Sequence, residues 1–420
     1  MLVTFQDIVV SVLCFVGIIT STVYLLTIFS KKKWEYSPDP KFRPKISVIV
    51  PVWNEGSNNG ERIRKTLDSL LHARYPKEKL EIIVVNDGST DNSLKIINEY
   101  KKFGVKVFSY KKSKGKTHAV NLGIKHATGE LIAGLDADSF IMPDAFEKIV
   151  PVFKDKRVMA AMPSVKIWKP KTILQKIQFQ EFLSSVFVLH VQSELGGVPL
   201  VSGACTVVRK SFIDKYGPYS TDTMVEDLEM ALRIQSHNYV IRHVVSANVY
   251  TSGVKTLKAF INQRLRWFYG FIVQMKKYRK LIGTKHGNLG FFILPLSVFY
   301  IFLNVFVFSY TIFRLIQNIF KWLREVSLVG ISFRHIFDFS FDPFMITIKN
   351  TTVLPIVLLL TLGGFMYYIK IVSEENQPIL TPFIAFTFTY WVLGPICWML
   401  AIYYYISGKK VKWGPNYFSS

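Results

Sequence analysis

Two carboxylates stand two positions apart in Leu135-Asp136-Ala137-Asp138, directly after an apolar run. In extended backbone, positions i and i+2 share one side of the chain. Like charges so close need a counter-ion, and oxygen ligands suit Mg2+ or Mn2+. A metal held by Asp136 and Asp138 would neutralise a diphosphate and stabilise its departure. A second acidic pair, Glu226-Asp227, opens a segment in which Met224, Leu228, Ala231 and Leu232 recur at helical spacing. Carboxylates at a helix start face unpaired backbone N–H groups and the positive end of the dipole, so this pair is expected to stay ionised and oriented. An isolated DxD is also common in turns, and an acidic pair also caps ordinary helices. The company the two motifs keep decides between these readings.

Upstream, one apolar run leads into Pro51-Val52-Trp53-Asn54-Glu55 and another into Asn86-Asp87-Gly88. Asp87 ends its run just before a glycine and is expected to point into the crevice beyond the sheet, where it can accept hydrogen bonds from a base or ribose. Asp-Gly-Ser is equally turn chemistry. Lys116, in Lys114-Gly115-Lys116, precedes a helical pattern and can reach a diphosphate favoured by the dipole; a solvated basic loop has the same composition. Gly196-Gly197 and Ser202-Gly203-Ala204 are small enough to let backbone approach a ligand. Downstream, Gln263, Arg266 and Trp267 fall at i, i+3 and i+4, on one face of a helix. Arg266 can clamp a diphosphate by paired hydrogen bonds, and Trp267 offers a flat apolar surface for a sugar ring. A membrane-surface helix with a snorkelling arginine and an interfacial tryptophan fits the same residues.

Alternating elements are expected to hold these side chains. Strands at 46–51, 81–85, 105–108 and 131–135 alternate with helices at 61–72, 91–102 and 117–127, the pattern of an α/β, Rossmann-like, mostly parallel sheet. Ligands of such sheets sit beyond the carboxyl ends of the strands, which is where the motifs fall. A helix over 175–192 is expected to lie against apolar segments, with Gln178 and Glu181 facing either an acceptor or ordinary packing.

Half of the 420 residues are hydrophobic, with 34 Phe. Residues 8–29 form an apolar run of about 22 residues, long enough to cross a bilayer. No basic n-region or small-residue cleavage site marks a signal peptide, so the run reads as a retained anchor, followed by a proline-bearing linker at 34–45. Further spans are expected at 289–313, 353–369 and 379–406, with a more polar segment between the first two that is interfacial or re-entrant. Lys+Arg number 52 against 29 Asp+Glu, a net charge of +23. Lys31, Lys32, Lys33, Lys276, Lys277, Lys409, Lys410 and Lys412 flank the apolar runs, which favours lipid headgroups over nucleic acid. With the N-terminus outside, three C-terminal spans would leave Lys409, Lys410 and Lys412 outside too, against the positive-inside rule; an additional crossing within 320–352 would resolve this. Cys14, Cys205 and Cys397 are far apart and suggest neither a disulfide framework nor a zinc site.

In order and spacing, Pro51 to Glu55, Asp87, Asp136/Asp138, Glu226-Asp227 and Gln263/Arg266/Trp267 resemble the membrane-integrated branch of glycosyltransferase family 2, which includes cellulose, chitin, hyaluronan and poly-N-acetylglucosamine synthases. The resemblance implies a GT-A fold on the cytosolic side of the cell membrane, in a multi-pass protein. The expected domains are an anchor at 1–33, a GT-A domain at 34–255, interfacial helices at 256–287 and a multi-span region at 288–420. It further implies a nucleotide-sugar donor, expected to be a UDP-sugar, bound by Pro51, Asn54, Glu55, Asp87, Lys116, Asp136 and Arg266. Asp136 and Asp138 would hold Mg2+ or Mn2+, Asp227 with Glu226 would be catalytic, and Gln263 and Trp267 would bind the acceptor. Many such synthases carry Thr before the Glu-Asp pair; here it is Val225, which weakens assignment to one polymer. The expected activity is extension of a β-linked polysaccharide with coupled export. The alternatives are a single transfer to a lipid or polyprenyl-phosphate acceptor, and a non-catalytic membrane protein that kept the fold.

Overall fold

The computed structural model describes residues 5–29, 39–329, 350–409 and 411. Lys31, Lys32, Lys33, Pro38, Lys410 and Lys412 lie outside them, as do residues 330–349, which hold most of the stretch where a further crossing is expected.

The apolar N-terminal run is helix α1 (Phe5–Phe29). Strand β1 (Ile46–Val52) sends Val48, Val50 and Val52 to one core and Ile49 to the other, the two-residue period of a strand buried on both faces. Then follow α2 (Glu61–Leu71), β2 (Leu80–Asp87), α3 (Ser93–Asn98), β3 (Lys106–Tyr110), α4 (Lys116–His126) and β4 (Leu131–Leu135). The helix expected over 91–102 is shorter. It tightens into a 3-10 stretch from Glu99 to Phe103, which ends at Gly104 with φ 84°, a conformation glycine adopts without strain. The second half contributes β5 (Phe140–Ile141), α5 (Ala145–Ile149), β6 (Val158–Ile167), α6 (Ile173–Glu194), β7 (Cys205–Arg209), α7 (Lys210–Tyr216), α8 (Glu226–Ser236), β8 (Val240–Thr251) and α9 (Leu257–Lys277).

One sheet of order β3-β2-β1-β4-β7-β6-β8-β5 runs through this part. The first four strands in that order are parallel, β7 opposes both its neighbours, and β8 is parallel to β6. The antiparallel pairing of β7 with β4 sets Cys205 opposite Leu135. That register brings Gly203 and Ala204 to the carboxyl end of β4, where the Asp136 N–H donates to the Ala204 carbonyl at 3.1 Å.

Helix α6 starts on a capping box: Thr172 Oγ1 accepts from the Gln175 N–H, and Gln175 Oε1 accepts from the Thr172 N–H, each at 3.2 Å. Three long helices follow α9: α10 (Leu294–Val329), α11 (Asn350–Val372) and α12 (Leu380–Ile406). The apolar face of α6, with Phe179, Leu183 and Phe187, packs with Phe365, Met366 and Ile369 of α11 and with Phe383 of α12. Four helices are long and apolar enough to cross a membrane: Ser11–Phe29, Leu289–Leu328, Val353–Val372 and Leu380–Ile406. The chain is a membrane protein of mixed α/β and apolar-helical architecture. The first of the C-terminal helices does not stop at Phe313 but runs on through Arg324, because its polar side chains there stand exposed on a continuous helix.

The turn between α11 and α12 is fastened to the sheet. Buried Lys166 at the end of β6 donates to the Ser373 carbonyl at 2.6 Å and pairs with buried Glu375 at 3.4 Å. Ile379 and Phe383, at the start of α12, pack with Ile167 and Phe179. At the other end, Ala401, Tyr404 and Val411 pack with Leu265 and Met224. Residues at both ends of α12 therefore pack against the sheet domain or α9.

Candidate active site

A cleft opens at the carboxyl ends of β1 and β4; its lining includes Pro51, Lys116, Asp136, Gly203, Glu226 and Asp227. Lys116 is the first residue of α4, and its Nζ stands 2.5 Å from Asp136 Oδ1 and 3.7 Å from Glu226 Oε1. It also donates to the Gly203 carbonyl at 3.3 Å. Burial alone would lower the lysine's pKa; Asp136, Glu226 and Asp227 outweigh it and raise it. A fixed ammonium thus links the DxD turn to the start of α8.

Asp227 sits in the first turn of α8, with Oδ1 accepting from the Leu228 N–H at 2.7 Å. Burial, and then the charge of Glu226, push its pKa up to about 7, with Lys116 pulling the other way. The expectation that helix-end N–H groups keep this carboxylate firmly ionised is therefore corrected: desolvation and a like charge outweigh the dipole. A Cβ on Gly203 would stand 2.5 Å from Asp227 Oδ2, so only glycine leaves that oxygen its position. Tyr219, which sequence reasoning missed, also lines the cleft, its backbone held by paired hydrogen bonds to the Asn121 side chain. No signal in its surrounding Gly-Pro-Tyr turn separates it from ordinary loop residues.

The loops after β1 and β2 are tied to each other. Asn54, at φ 52°, donates its N–H to Ser89 Oγ at 3.0 Å, and its Oδ1 accepts from the Thr90 N–H at 2.8 Å. The Glu55 N–H donates to Ser93 Oγ at 2.7 Å, and its carboxylate pairs with Arg62 at 2.9 Å. Asp87 is engaged by the loop before α4. It accepts from Ser113 Oγ at 2.6 Å and from the N–H groups of Lys114 and Gly115 at 2.8 Å each, bracing the loop that delivers Lys116.

Asp138 accepts from Ser139 Oγ at 3.3 Å and Thr251 Oγ1 at 3.4 Å. Burial, and then Asp136, raise its pKa. Glu55 is pushed up to about 7 by burial, against Arg62, with Asp138, Asp91 and Asp136 adding to the rise. These carboxylates form an acidic edge that a divalent cation would relieve, and the donor set is all oxygen. Among the described residues no three His, Cys, Asp or Glu side chains converge into a cage. Asp136 and Asp138 supply only oxygen donors at this edge, the ligand type of Mg2+ or Mn2+, and Asp136 Oδ1 is here paired with Lys116.

Gln263, Arg266 and Trp267 lie on α9 outside the lining of the cleft. Arg266 belongs to the same electrostatic set: burial lowers its pKa, and Glu226, Asp227 and Asp136 oppose that fall. Trp267 faces Phe182 of α6 at 6.4 Å between ring centroids. Gly270 keeps α9 close to α8, since a Cβ there would stand 2.5 Å from a methyl of Val225, the residue that departs from the common Thr. Gln178 is spent on packing: its amide exchanges hydrogen bonds with the backbone of Val254 at 2.9 and 3.0 Å. Arg264, between the motif residues, carries contacts that the spacing argument did not anticipate.

Residues 47–217 match the family model described as glycosyl transferase family 2. The chain is 33% identical over 248 residues to a poly-beta-1,6-N-acetyl-D-glucosamine synthase of Staphylococcus epidermidis, covering 58% of this chain and 59% of that protein. A synthase of the same name from Staphylococcus aureus (strain COL) is 32% identical over 228 residues, 54% of each. The matched stretch thus spans under two thirds of these relatives. Among solved structures, the mannosyltransferase PcManGT from Pyrobaculum calidifontis, in complex with GDP-Man and Mn2+, superposes with a TM-score of 0.63 at 20% identity, over 96% of this chain and 98% of that one. That likeness extends the shared fold to the apolar helices.

Proposed function

From a chain that carries a glycosyl transferase family 2 domain, we propose a membrane-bound inverting glycosyltransferase that moves a sugar from a nucleotide sugar to a growing β-linked polysaccharide, with the product exported through its own apolar helices. The catalytic domain lies in the cytosol, where Lys409 and the other flanking lysines favour it. Relatives named as poly-N-acetylglucosamine synthases make UDP-N-acetylglucosamine the first donor to test.

In this reading an acceptor hydroxyl attacks the anomeric carbon in line with the departing diphosphate. A C–O bond forms, the sugar–phosphate C–O bond breaks with its electron pair leaving on the nucleoside diphosphate, and the hydroxyl proton passes to Asp227. A base contributes most when its pKa lies near the working pH, about a factor of 10²–10⁴ in rate, and Asp227 sits at about 7. Glu226 raises that value by its charge and orients Lys116. Lys116 and Arg266 bring positive charge to the leaving diphosphate. A divalent cation held by Asp136 and Asp138 supplies further charge there when bound. Pro51, Asn54, Glu55 and Asp87 shape the donor side, Asp87 through the loop it braces. Gln263 and Trp267 hold the acceptor end.

The observation that carries this reading is the unbroken run of contacts from Asp136 through Lys116 to Glu226, beside Asp227. The test is purified protein in lipid, with Mg2+ or Mn2+ and a panel of nucleotide sugars. A ladder of long chains supports the synthase. One added sugar on a lipid supports the single-transfer alternative, and no consumption of any nucleotide sugar rejects both.

A further inference from the structure

Arg264 is 1% exposed, and a guanidinium so buried needs its donors paired. Its Nε donates to Glu181 Oε1 at 3.2 Å and its Nη2 to Glu181 Oε2, the forked geometry that guanidinium and carboxylate share. Its Nη1 donates to Gln263 Oε1. The same group stands 4.6 Å from the centroid of the Trp267 ring. Tyr390, on α12, donates its hydroxyl to Glu181 Oε1 at 2.8 Å. One buried charge network therefore joins α6, α9 and α12, and both residues assigned to the acceptor touch its single guanidinium.

We infer that Arg264 is a positioning residue for the acceptor, anchored by Glu181 and Tyr390, so that α12 forms part of the support of the acceptor site. The inference rests on the reading of Gln263 and Trp267 as acceptor-binding. An amide can turn over and an indole can change rotamer; either motion displaces the acceptor hydroxyl from Asp227. Arg264 fixes which side of the Gln263 amide accepts, and it lies against the Trp267 ring. Holding both in place removes an ordering cost that each transfer would otherwise meet. A lysine cannot replace it, because an ammonium lacks the planar fork that reaches Glu181 and Gln263 together. Tyr390 bears on the same network from another helix, so a change on α12 is felt at Gln263 and Trp267 without any contact with the donor.

The experiment uses the full chain in lipid nanodiscs, with the nucleotide sugar of the panel that the wild type consumes, and reads donor KM, turnover and product length for Arg264→Lys and Tyr390→Phe. Arg264→Lys is expected to lose roughly 10- to 100-fold in turnover with donor KM changed less than about threefold. Tyr390→Phe, which leaves the ion pair in place and is the safer variant for folding, is expected to lose about three- to tenfold in turnover, with shorter products and the same donor KM. If Arg264→Lys fails to fold, Tyr390→Phe decides alone. A merely structural role would lower the yield of folded protein and leave turnover per folded molecule unchanged; that result overturns the inference, as does a matched change in donor KM. A wild type that consumes no nucleotide sugar overturns the functional reading and this inference with it, whereas an active wild type with indistinguishable variants overturns this inference alone.

Discussion

Asp87, at the end of β2, and Asp227, at the start of α8, are treated in opposite ways. Asp87 receives three hydrogen bonds from the loop before α4, and the neighbouring turns are laced together by Asn54, Ser89 and Ser93. Asp227 receives one backbone hydrogen bond, faces Glu226, and is pushed up to about 7 by burial and that charge. A carboxylate that accepts several hydrogen bonds from one loop braces that loop, and one raised by burial and a like charge is suited to take a proton. In the proposed reading the first region presents the donor, and the second, where burial and a like charge act on Asp227, carries the chemistry.

Substitutions that exchange these roles break or sharpen the contrast. The largest effect is expected at the DxD turn. Asp136→Asn, or removal of divalent metal by chelator, should lower turnover by roughly 10³-fold while the protein still inserts and folds. Full activity in chelator would remove the metal from the account. Gly203→Ala should cost about 10- to 100-fold in turnover, because its methyl would displace Asp227 Oδ2 by a distance that matters for proton transfer. Donor KM should hardly move, and an unchanged turnover would mean that Asp227 is placed by something else. The pH profile follows from the direction of the shift. Asp227 accepts a proton only when ionised, so turnover should rise with pH through about 7 and fall by about tenfold per unit well below it. A rate flat from pH 5 to 8 would contradict that assignment. The smallest effect on chemistry is expected from Asp87→Asn. It should weaken the loop before Lys116, raise donor KM by about three- to tenfold, and lower stability by about 1–3 kcal/mol, with turnover at saturation nearly kept. Lost turnover at normal KM and stability would erase the distinction between the two regions.

The parallel half of the sheet was legible from its alternating apolar runs, and the strand ends drew attention to the motifs because sheets of this type place ligands there. The hydrogen-bond partners of Asp87 were not legible. Its partners come from a loop 26 to 28 positions on, and nothing in Asp-Gly-Ser announces that they fold back to it. The pKa of Asp227 was misjudged for a related reason: the helix start was visible, whereas its desolvation, which acts with the charge of Glu226 beside it, appears only in three dimensions. Arg264 looked like a spacer inside a motif, since its partner Glu181 lies 83 positions away on another helix. Length and apolarity alone made α12 a span; its contacts with Phe179 at one end and Leu265 at the other appear only in three dimensions.

The central claim is that Asp227 takes the acceptor's proton, and Asp227→Asn tests it most directly when donor binding, sugar transfer and thermal stability are measured on one preparation in lipid. Asparagine keeps the shape and removes the charge that burial and Glu226 disfavour, so stability should be equal or higher, and donor affinity should stay within about threefold. Transfer should fall by about 10²- to 10⁴-fold. An Asp227→Asn protein that transfers sugar at the wild-type rate would contradict the account.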